Sequence, residues 1–410
     1  MIEPDLTSEA APKLARLNDW IVAAGLAGED GAALIEGYCK RLRETGVPLD
    51  RCAVGVDTLH PVLLGSNFIW SAAAGIAQRD YQRSEAETAD ELWLQSPFYY
   101  LAERGETRLR LKPGGPLAAG LPRFPILEEL EAAGASDYLV LLTPLSGDEA
   151  IGDFDTVYSS WTTQHPDGFA AAQVAMIEGS LTTLCLALKS ALTRGITDTL
   201  MRTYLGEDAG RRVLRGRIER GTAEAIEAVL WYSDLRGFTR IADTAPSETL
   251  LGLLNDYAAC VVETLHAHDG QVLKFVGDGI LAIFKLSDSR AAGEQALDAA
   301  EALLARIDAL NAERGAAGLP TSDIYLGLHL GEVLYGNVGS LERLDFTVVG
   351  PAVNEVSRIE GLCRNLDQRV LVSSDFAAGA PAARPRLVSL GRYALRGVSE
   401  PQELFTLEPR

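Results

Sequence analysis

The chain has 410 residues, 47% of them hydrophobic and 23% charged, which is typical of globular protein and exceeds the usual size of one hydrophobic core. We therefore expect two domains. The 37 basic and 57 acidic residues give a net charge of −20, which opposes counterion release on nucleic acid and excludes that polymer as an expected partner.

The chain carries no clear signal for export or membrane insertion. Residues 1–11 contain acids and no basic segment ahead of an apolar stretch, so we predict no secretory signal. Residues 169–192 are the most apolar long segment, but Glu178 and Lys189 interrupt them, which argues against a membrane span. We expect a cytoplasmic protein. The five cysteines show no metal or redox spacing and are predicted to be buried reduced thiols: Cys39, Cys52, Cys185, Cys260 and Cys363.

Residues 1–194 are predicted to form a first α+β domain. Helical spacing within residues 12–45 is followed by short apolar runs that predict strands, at 52–56, 68–73, 138–142 and 157–161. After Gly168 a narrow apolar stripe predicts one long helix, which suits either pairing across a dimer or packing against its own domain.

Residues 195–221 are predicted to be a helical linker between the domains. Gly206 and Gly210 are expected to interrupt its helical pattern. A run of arginines follows, which indicates either a solvated helix face or an anion-binding role: Arg211, Arg212, Arg215, Arg217 and Arg220.

Residues 222–410 are predicted to form a second α+β domain. A nearly continuous apolar run at 226–233 predicts a central buried strand, and a hairpin is predicted at 272–284. Amphipathic helices and a strand at 324–330 complete the order strand, helix, strand, strand, helix, strand. This is the ferredoxin-like order, in which helices cover one sheet face, and we expect the other face to be free to meet a partner.

Two carboxylates fall where these elements meet. Asp234 ends the first strand of this domain and Asp278 lies in the hairpin turn. Turns and strand ends favour aspartate for structural reasons, but two carboxylates placed together favour a magnesium site with a phosphorylated ligand. The loop that follows Asp234 could offer backbone amides to a triphosphate, and its members are Leu235, Arg236, Gly237, Phe238 and Thr239.

At this point the sequence resembles a known family, the class III adenylate and guanylate cyclases. Three ordered segments carry the likeness, residues 232–239, 274–279 and 345–350, the last continuing to Asn354 and Arg358. The resemblance covers residues 222–410.

The resemblance implies an adenylate cyclase that converts ATP to cyclic AMP and pyrophosphate. Asp234 and Asp278 would bind two Mg²⁺ (or Mn²⁺) ions in each active site. Lys274 and Asp345 would read adenine. Guanine-reading relatives carry residues such as Glu and Cys at those two places, so a guanylate cyclase and a catalytically silent nucleotide-binding module are the alternatives.

The remaining implied roles concern the phosphates and the ribose. Asn354 and Arg358 would orient the ribose and stabilise charge on the α-phosphate, while the loop after Asp234 and Arg396 would hold the other phosphates. In this family the aspartates come from one subunit and the other residues from its partner, so the resemblance implies a homodimer.

Simple geometry is compatible with two of these pairs. Lys274 precedes Asp278 by four residues, which places both on one face if the strand continues to the turn. Asn354 and Arg358 are also four apart, and on a helix they share a face.

The first domain resembles GAF-type sensor domains weakly, which implies an unidentified small-molecule effector. His60, Trp70, Trp161 and His165 could line a ligand pocket or a haem site, although such residues in a small domain usually belong to its core.

The other histidines are predicted to be structural. His329 lies on a strand opposite a leucine face, and no convergent ligands are apparent around it. His266 and His268 end a helix, where they interact with its negative pole.

Overall fold

The computed structural model describes residues 10–118, 120–145, 155–286, 291–396 and 400–408. The chain divides into two compact units, Met1–Leu200 and Met201–Arg410, and both mix helices and strands. Most of the segment considered for a secretory signal lies outside the described residues. Four of the five cysteines are buried, Cys260 is half-buried, and all five are free thiols.

Six strands of the first unit form one antiparallel sheet in the order β3-β2-β1-β6-β5-β4. Its helices are α1 (Ala10–Ala27), α2 (Gly31–Glu44), α3 (Ala86–Leu94), α4 (Pro97–Arg104), α5 (Ile126–Ala132) and α6 (Ala171–Leu205), with a short 3-10 turn at Arg83–Glu85. Its strands are β1 (Arg51–Asp57), β2 (Leu63–Ser71), β3 (Gly75–Gln82), β4 (Arg108–Leu111), β5 (Asp137–Pro144) and β6 (Thr156–Thr163).

Helix α6 packs its apolar stripe into the first unit's core. Ile177, Leu184 and Leu188 are fully buried there with residues of α1 and α2. The helix runs unbroken through Gly195, the predicted start of the linker, and ends before Gly206. By length and composition it could cross a membrane, and half of its most apolar stretch is buried within the protein.

The second unit contains eight strands and six helices among the described residues. The helices are α7 (Glu207–Leu214), α8 (Phe238–Ala242), α9 (Ser247–Ala267), α10 (Ala292–Ala316), α11 (Pro351–Leu366) and α12 (Ser374–Gly379), with a 3-10 turn at Arg384–Arg386. The strands are β7 (Ala223–Leu235), β8 (Gln271–Val276), β9 (Gly279–Lys285), β10 (Ile324–Gly339), β11 (Leu344–Val349), β12 (Val370–Ser373), β13 (Leu387–Tyr393) and β14 (Gln402–Leu407).

The strands run in the order β13-β14-β12-β10-β7-β9-β8, and β11 pairs with the far end of β10. Helices α9 and α10 cover one face of this sheet, where Trp231 and Leu326 lie in the core. The expectation that the other face is free was wrong. Small residues of α7 and α11, among them Ala209 and Ala352, pack there against Leu230 and other strand residues.

Helix α7 is fixed to the sheet by one carboxylate. Asp208 accepts hydrogen bonds from Lys285 Nζ at 2.6 Å, Arg212 Nε at 2.9 Å and Tyr335 Oη at 2.9 Å. Gly206 precedes this helix, as the predicted interruption requires, but Gly210 lies inside it. Because Arg212 pairs with Asp208 and Glu224 and is largely buried, it is not part of a solvated helix face.

Two glycines let α11 approach β10 closely. A Cβ atom on Gly327 would lie 2.7 Å from the Val356 carbonyl oxygen, and one on Gly331 would lie 2.7 Å from the Ala352 Cβ atom. Any larger residue at either position would push the helix away from the strand. The glycines thus set the position of the helix that carries Asn354 and Arg358.

Candidate active site

Strand pairing brings the two predicted aspartates together. β7 and β9 are antiparallel with Ser233 opposite Ile280, so Asp234 lies opposite the turn that contains Asp278. Gly277 has a φ of 65°, which a two-residue hairpin requires at its first turn position and which glycine adopts without strain. The local sequence therefore places Asp278 beside the end of β7.

The proximity of these carboxylates is visible in their electrostatics. Burial raises the pKa of Asp234 to about 7, and the hydrogen bond and negative charge of Asp278 add to the shift. Such a pair is held together at a cost that a cation would relieve. Both donors are oxygens, the ligand type that Mg²⁺ prefers.

A third carboxylate interacts electrostatically with these two and was not singled out from the sequence. Glu360 on α11 is 8% exposed, and burial together with the charge of Asp278 raises its pKa to about 7. The only sign of this in the sequence was the position of Glu360 two residues after Arg358, on the inward side of the helix.

The loop after Asp234 offers fewer free amides than predicted. The Leu235 amide donates to Asp234 Oδ1 at 2.9 Å, and the Arg236 amide donates to the Asp323 carbonyl at 2.8 Å. The Leu235 side chain is buried in the core. Gly237 has a φ of 72° and starts the turn into α8, whose first amides, at Phe238 and Thr239, have no acceptor within the helix.

The predicted base-reading residues lie side by side. Lys274 Nζ on β8 is 3.8 Å from Asp345 Oδ2 on β11, and both side chains are partly exposed. The parity argument that linked Lys274 to Asp278 does not apply, because β8 ends at Val276 and a turn follows.

Asn354 and Arg358 share the outer side of α11, as their spacing predicts. Asn354 is exposed and Arg358 is half-buried, and within the described part of the chain neither side chain has a hydrogen bond or ion pair. Arg396 follows β13 and is exposed, while its neighbour Gly397 lies outside the described residues. Among the described residues, neither Arg358 nor Arg396 forms an ion pair with Asp234 or Asp278.

Exposed apolar side chains occur on the same strands as Lys274 and Asp345 and on neighbouring β10. They lie on β8 and on the paired ends of β10 and β11, and Phe275 is 58% exposed. We call this set the apolar rim, and its members are Phe275, Val276, Leu334, Val338, Leu344 and Val349. Val338, Val349 and Leu334 share one face of the β10 and β11 pair, since Val338 lies opposite Asp345 and Leu334 lies opposite Val349.

The four candidates for a ligand pocket in the first unit do not share one environment. Trp70 and Trp161 are buried in the core. His60 Nδ1 accepts from the Val62 and Leu63 amides, and His165 Nδ1 lies 3.4 Å from the Asp167 amide. The histidines therefore stabilise turns through their Nδ1 atoms, whereas the two tryptophans belong to the core.

Of the other histidines predicted to be structural, His268 has the predicted environment and His329 does not. His268 Nδ1 lies 2.8 Å from the Thr264 carbonyl at the end of α9, as a helix-end role predicts. For His329 the expectation of no convergent ligands was wrong, since Glu355, Ser373 and Asp375 surround its ring. These partners come from α11 and from the β12–α12 corner, which periodicity within β10 could not reveal.

Comparison with known proteins bears on the second unit. Residues 222–409 match the family model described as adenylate and guanylate cyclase catalytic domain. An adenylate cyclase of Anabaena cylindrica is 34% identical over 160 residues, which cover 38% of this chain and 31% of that protein. Adenylate cyclase 1 of Rhizobium meliloti is 32% identical over 185 residues, which cover 42% of this chain and 28% of the relative. The chain thus spans about a third of the length of these relatives.

Among solved structures, a bacterial light-regulated adenylyl cyclase aligns with 55% of this chain and 65% of its own, at 23% identity and a TM-score of 0.46. The adenylyl cyclase CyaB from P. aeruginosa aligns with 46% of this chain and 97% of its own, at 23% identity and a TM-score of 0.42. The match to the adenylate and guanylate cyclase catalytic domain family is thus confined to residues 222–409, slightly less than half of the chain.

Proposed function

We propose that this chain is an adenylate cyclase, which converts ATP to 3',5'-cyclic AMP and pyrophosphate. The observation that carries the proposal is the meeting of Asp234 and Asp278 in the half of the chain that matches the cyclase family. The two relatives named above, both adenylate cyclases, support the choice of product.

Asp234 and Asp278 are proposed to hold two Mg²⁺ or Mn²⁺ ions per active site. When bound, such ions neutralise phosphate charge and lower the pKa of the attacking ribose hydroxyl. The all-oxygen donors and the repulsion between the two carboxylates fit this role. Glu360, whose charge acts on both aspartates, would position the pair rather than touch the substrate.

The base is proposed to be adenine because of the Lys274 and Asp345 pair. The Asp345 carboxylate can accept from the adenine N6 amine, and the Lys274 ammonium can donate to N1. Guanine presents the opposite pattern and would leave both side chains unpaired, which strongly disfavours its binding.

Asn354 and Arg358 are proposed to act on the substrate of a partner chain. Asn354 would orient the ribose, and Arg358 would donate to the α-phosphate as charge builds up on it. The guanidinium of Arg358, which is unpaired among the described residues, and the exposed apolar rim both support a homodimer. A second copy of the chain would bring an anionic substrate to Arg358 and would cover the apolar rim.

The triphosphate is proposed to lie against the start of α8. Gly237, Phe238 and Thr239 would donate amides there, and Arg236 and Arg396 would add positive charge. The side chain of Leu235 is buried, so its contribution is to hold Asp234 through its amide.

The direct test is product formation by the full chain with ATP or GTP, in Mg²⁺ or Mn²⁺, resolved by mass spectrometry. We expect cyclic AMP from ATP, and Asp278→Ala should abolish it while the melting temperature stays near the wild-type value, because a turn ligand and no core volume is removed. Cyclic GMP as the main product would make the chain a guanylate cyclase. No product from either nucleotide would make it a silent binding module.

The first unit is proposed to be a GAF-like regulatory domain for a small-molecule effector. Its antiparallel sheet, with α6 leading into the second unit, supports that arrangement. Mass spectrometry of the protein purified from cell lysate should identify a copurifying small molecule. Adding this molecule back to protein from which it has been removed should change cyclase activity.

A further inference from the structure

The ring of His329 is enclosed by groups that bind metals. His329 is 3% exposed and lies on the face of β10 that α11 covers. Its Nε2 atom is 3.6 Å from Glu355 Oε2 on α11, and its Nδ1 atom is 4.0 Å from Asp375 Oδ2 in the first turn of α12. One ligand atom from each residue lies within 4.8 Å of the others.

The surroundings contain more acceptors than donors. Among the described residues no lysine or arginine pairs with Glu355 or Asp375, and Glu355 accepts only from Gln402 Nε2, at 3.1 Å. The other amide atom of Gln402, Oε1, is buried with no hydrogen-bond partner. A buried acceptor without a donor is costly, and the Glu355 carboxylate, only 20% exposed, adds to that cost.

The His329 ring is held in place by one further contact, and a neutral imidazole is a common metal ligand. Its Nδ1 atom lies 2.9 Å from Ser373 Oγ, a contact that fixes the ring as outer partners do in metal sites.

We propose that His329, Glu355 and Asp375 bind a divalent transition-metal ion, for which Zn²⁺ is the best match. Zn²⁺ takes imidazole and carboxylate ligands together, whereas Mg²⁺ prefers oxygen alone. Ligand atoms about 2.1 Å from a tetrahedral ion lie about 3.4 Å apart, so small side-chain movements would close the site around the ion and one water.

This site is separate from the aspartate pair. Asp234 lies opposite Tyr325, and His329 comes four residues further along β10, which corresponds to about 13 Å along a strand. Glu355 stands next to Asn354 on α11, so the ion would tie that helix to β10 and α12. The ion would thus fix the helix that carries Asn354 and Arg358. An effect of the ion on catalysis rests on the proposed cyclase function, whereas binding of the ion does not.

The experiment uses the full chain, stripped of metal and held in excess Mg²⁺, and titrated with Zn²⁺ or with Co²⁺ as a coloured substitute. We expect one tightly bound ion per chain by elemental analysis, visible Co²⁺ absorption of a nitrogen-containing site, and a higher melting temperature. Glu355→Gln and Asp375→Asn keep the side-chain shapes and should each weaken Zn²⁺ binding at least about tenfold.

Two further variants separate the alternatives. Glu342→Gln removes an exposed acid elsewhere in the same unit and should bind Zn²⁺ like the wild type. Asp278→Asn should also retain the ion, since it alters only the aspartate pair. Wild-type Zn²⁺ affinity in both Glu355→Gln and Asp375→Asn, or loss of the ion in Asp278→Asn, would overturn the proposal. None of these measurements uses catalytic activity, so failure of the cyclase assignment would leave their outcome intact.

Discussion

At the scale of residues, the aspartate pair carries an electrostatic penalty that a bound cation would relieve. Asp234 and Asp278 are brought together by backbone pairing that their own charges oppose, and burial together with the hydrogen bond and charge of Asp278 raises the pKa of Asp234 to about 7. Lys274 and Asp345 differ, because their opposite charges attract each other. The first pair is therefore prepared for cations and the second for a neutral base with a donor and an acceptor.

Asp234→Asn should stabilise the metal-free protein at alkaline pH while abolishing activity. The folded pKa of about 7 lies above the unfolded value of 3.8, so the folded state retains a proton that the unfolded state loses. Wild-type stability should therefore fall as pH rises from about 4 to 7, and the Asn variant should lack this loss. Because Asp234 is only half-buried, we expect about 1 kcal/mol at pH 8, or about 2–4 °C in melting temperature.

Thermal melts in EDTA between pH 4.5 and 8.5 provide the measurement, with the exposed Asp243→Asn as the control. Addition of Mg²⁺ at pH 8 should raise the wild-type melting temperature more than that of Asp234→Asn. Parallel pH profiles for the two proteins in EDTA would contradict the assigned repulsion.

Lys274→Glu combined with Asp345→Cys should change the choice of base. The Glu carboxylate can accept from the N1 and N2 groups of guanine, and the smaller Cys no longer presents an acceptor to the purine amine. The ratio of kcat/KM for ATP to that for GTP should fall by about tenfold or more. An unchanged ratio, in a variant that still turns over either nucleotide, would show that these residues do not read the base.

At the scale of elements, the parts with a strong local pattern were predictable. The hairpin of β8 and β9 follows from a glycine–aspartate turn between apolar runs, and α9 and α10 follow from their helical spacing. The order of elements from β7 to β10 agrees with the predicted order. Edge strands β3 and β4 were missed, because β3 is largely exposed and β4 has only four residues, so neither carries a clear apolar alternation.

Contacts between distant segments could not be predicted from the sequence. The metal-ligating groups around His329 lie 26 and 46 residues further along the chain, and no local period links them. The burial of Glu360 depends likewise on how closely α11 approaches Gly327. The glycines on both sides of His329, on the face opposite the leucines, were the only local sign of that approach.

Asp208→Asn should loosen α7 from the sheet. The change removes the charge that Lys285 and Arg212 share and leaves the largely buried Lys285 ammonium without its counterion. We expect a loss of about 2 kcal/mol in the unfolding free energy of the second unit. Urea denaturation followed by tryptophan fluorescence measures it.

Glu207→Gln is the matched control, since the neighbouring Glu207 pairs with Arg202 and Arg211 at the surface. Such exposed pairs contribute less than about 1 kcal/mol. Equal midpoints for Asp208→Asn and Glu207→Gln would mean that the Asp208 cluster does not hold α7 in place.

At the scale of the whole molecule, the two chains of a homodimer should complement each other. Asp234→Ala and Arg358→Ala chains are each expected to be inactive. In a mixed dimer, one site carries both changes and the other carries neither, so activity should return. With random pairing about half of the dimers are mixed and each has one intact site, which gives about a quarter of wild-type activity.

Coexpression with two different affinity tags allows the mixed dimers to be isolated without waiting for subunit exchange. Dimers of Asp234→Ala with Asp278→Ala are the control and should remain inactive, because both changes fall on the same half of each site. Mixed Asp234→Ala and Arg358→Ala dimers as inactive as their parents would place both residues in one chain's own site.

On the proposed function, the exposed apolar side chains of β8, β10 and β11 have a consequence for how output depends on the amount of chain in the cell. If two chains must meet before either site is complete, product formation at low expression rises with the square of chain concentration and becomes linear only once most chains are paired. Halving the number of chains would then cut the output by about four. A cell could thus silence the pathway by dilution during growth, without any inhibitor.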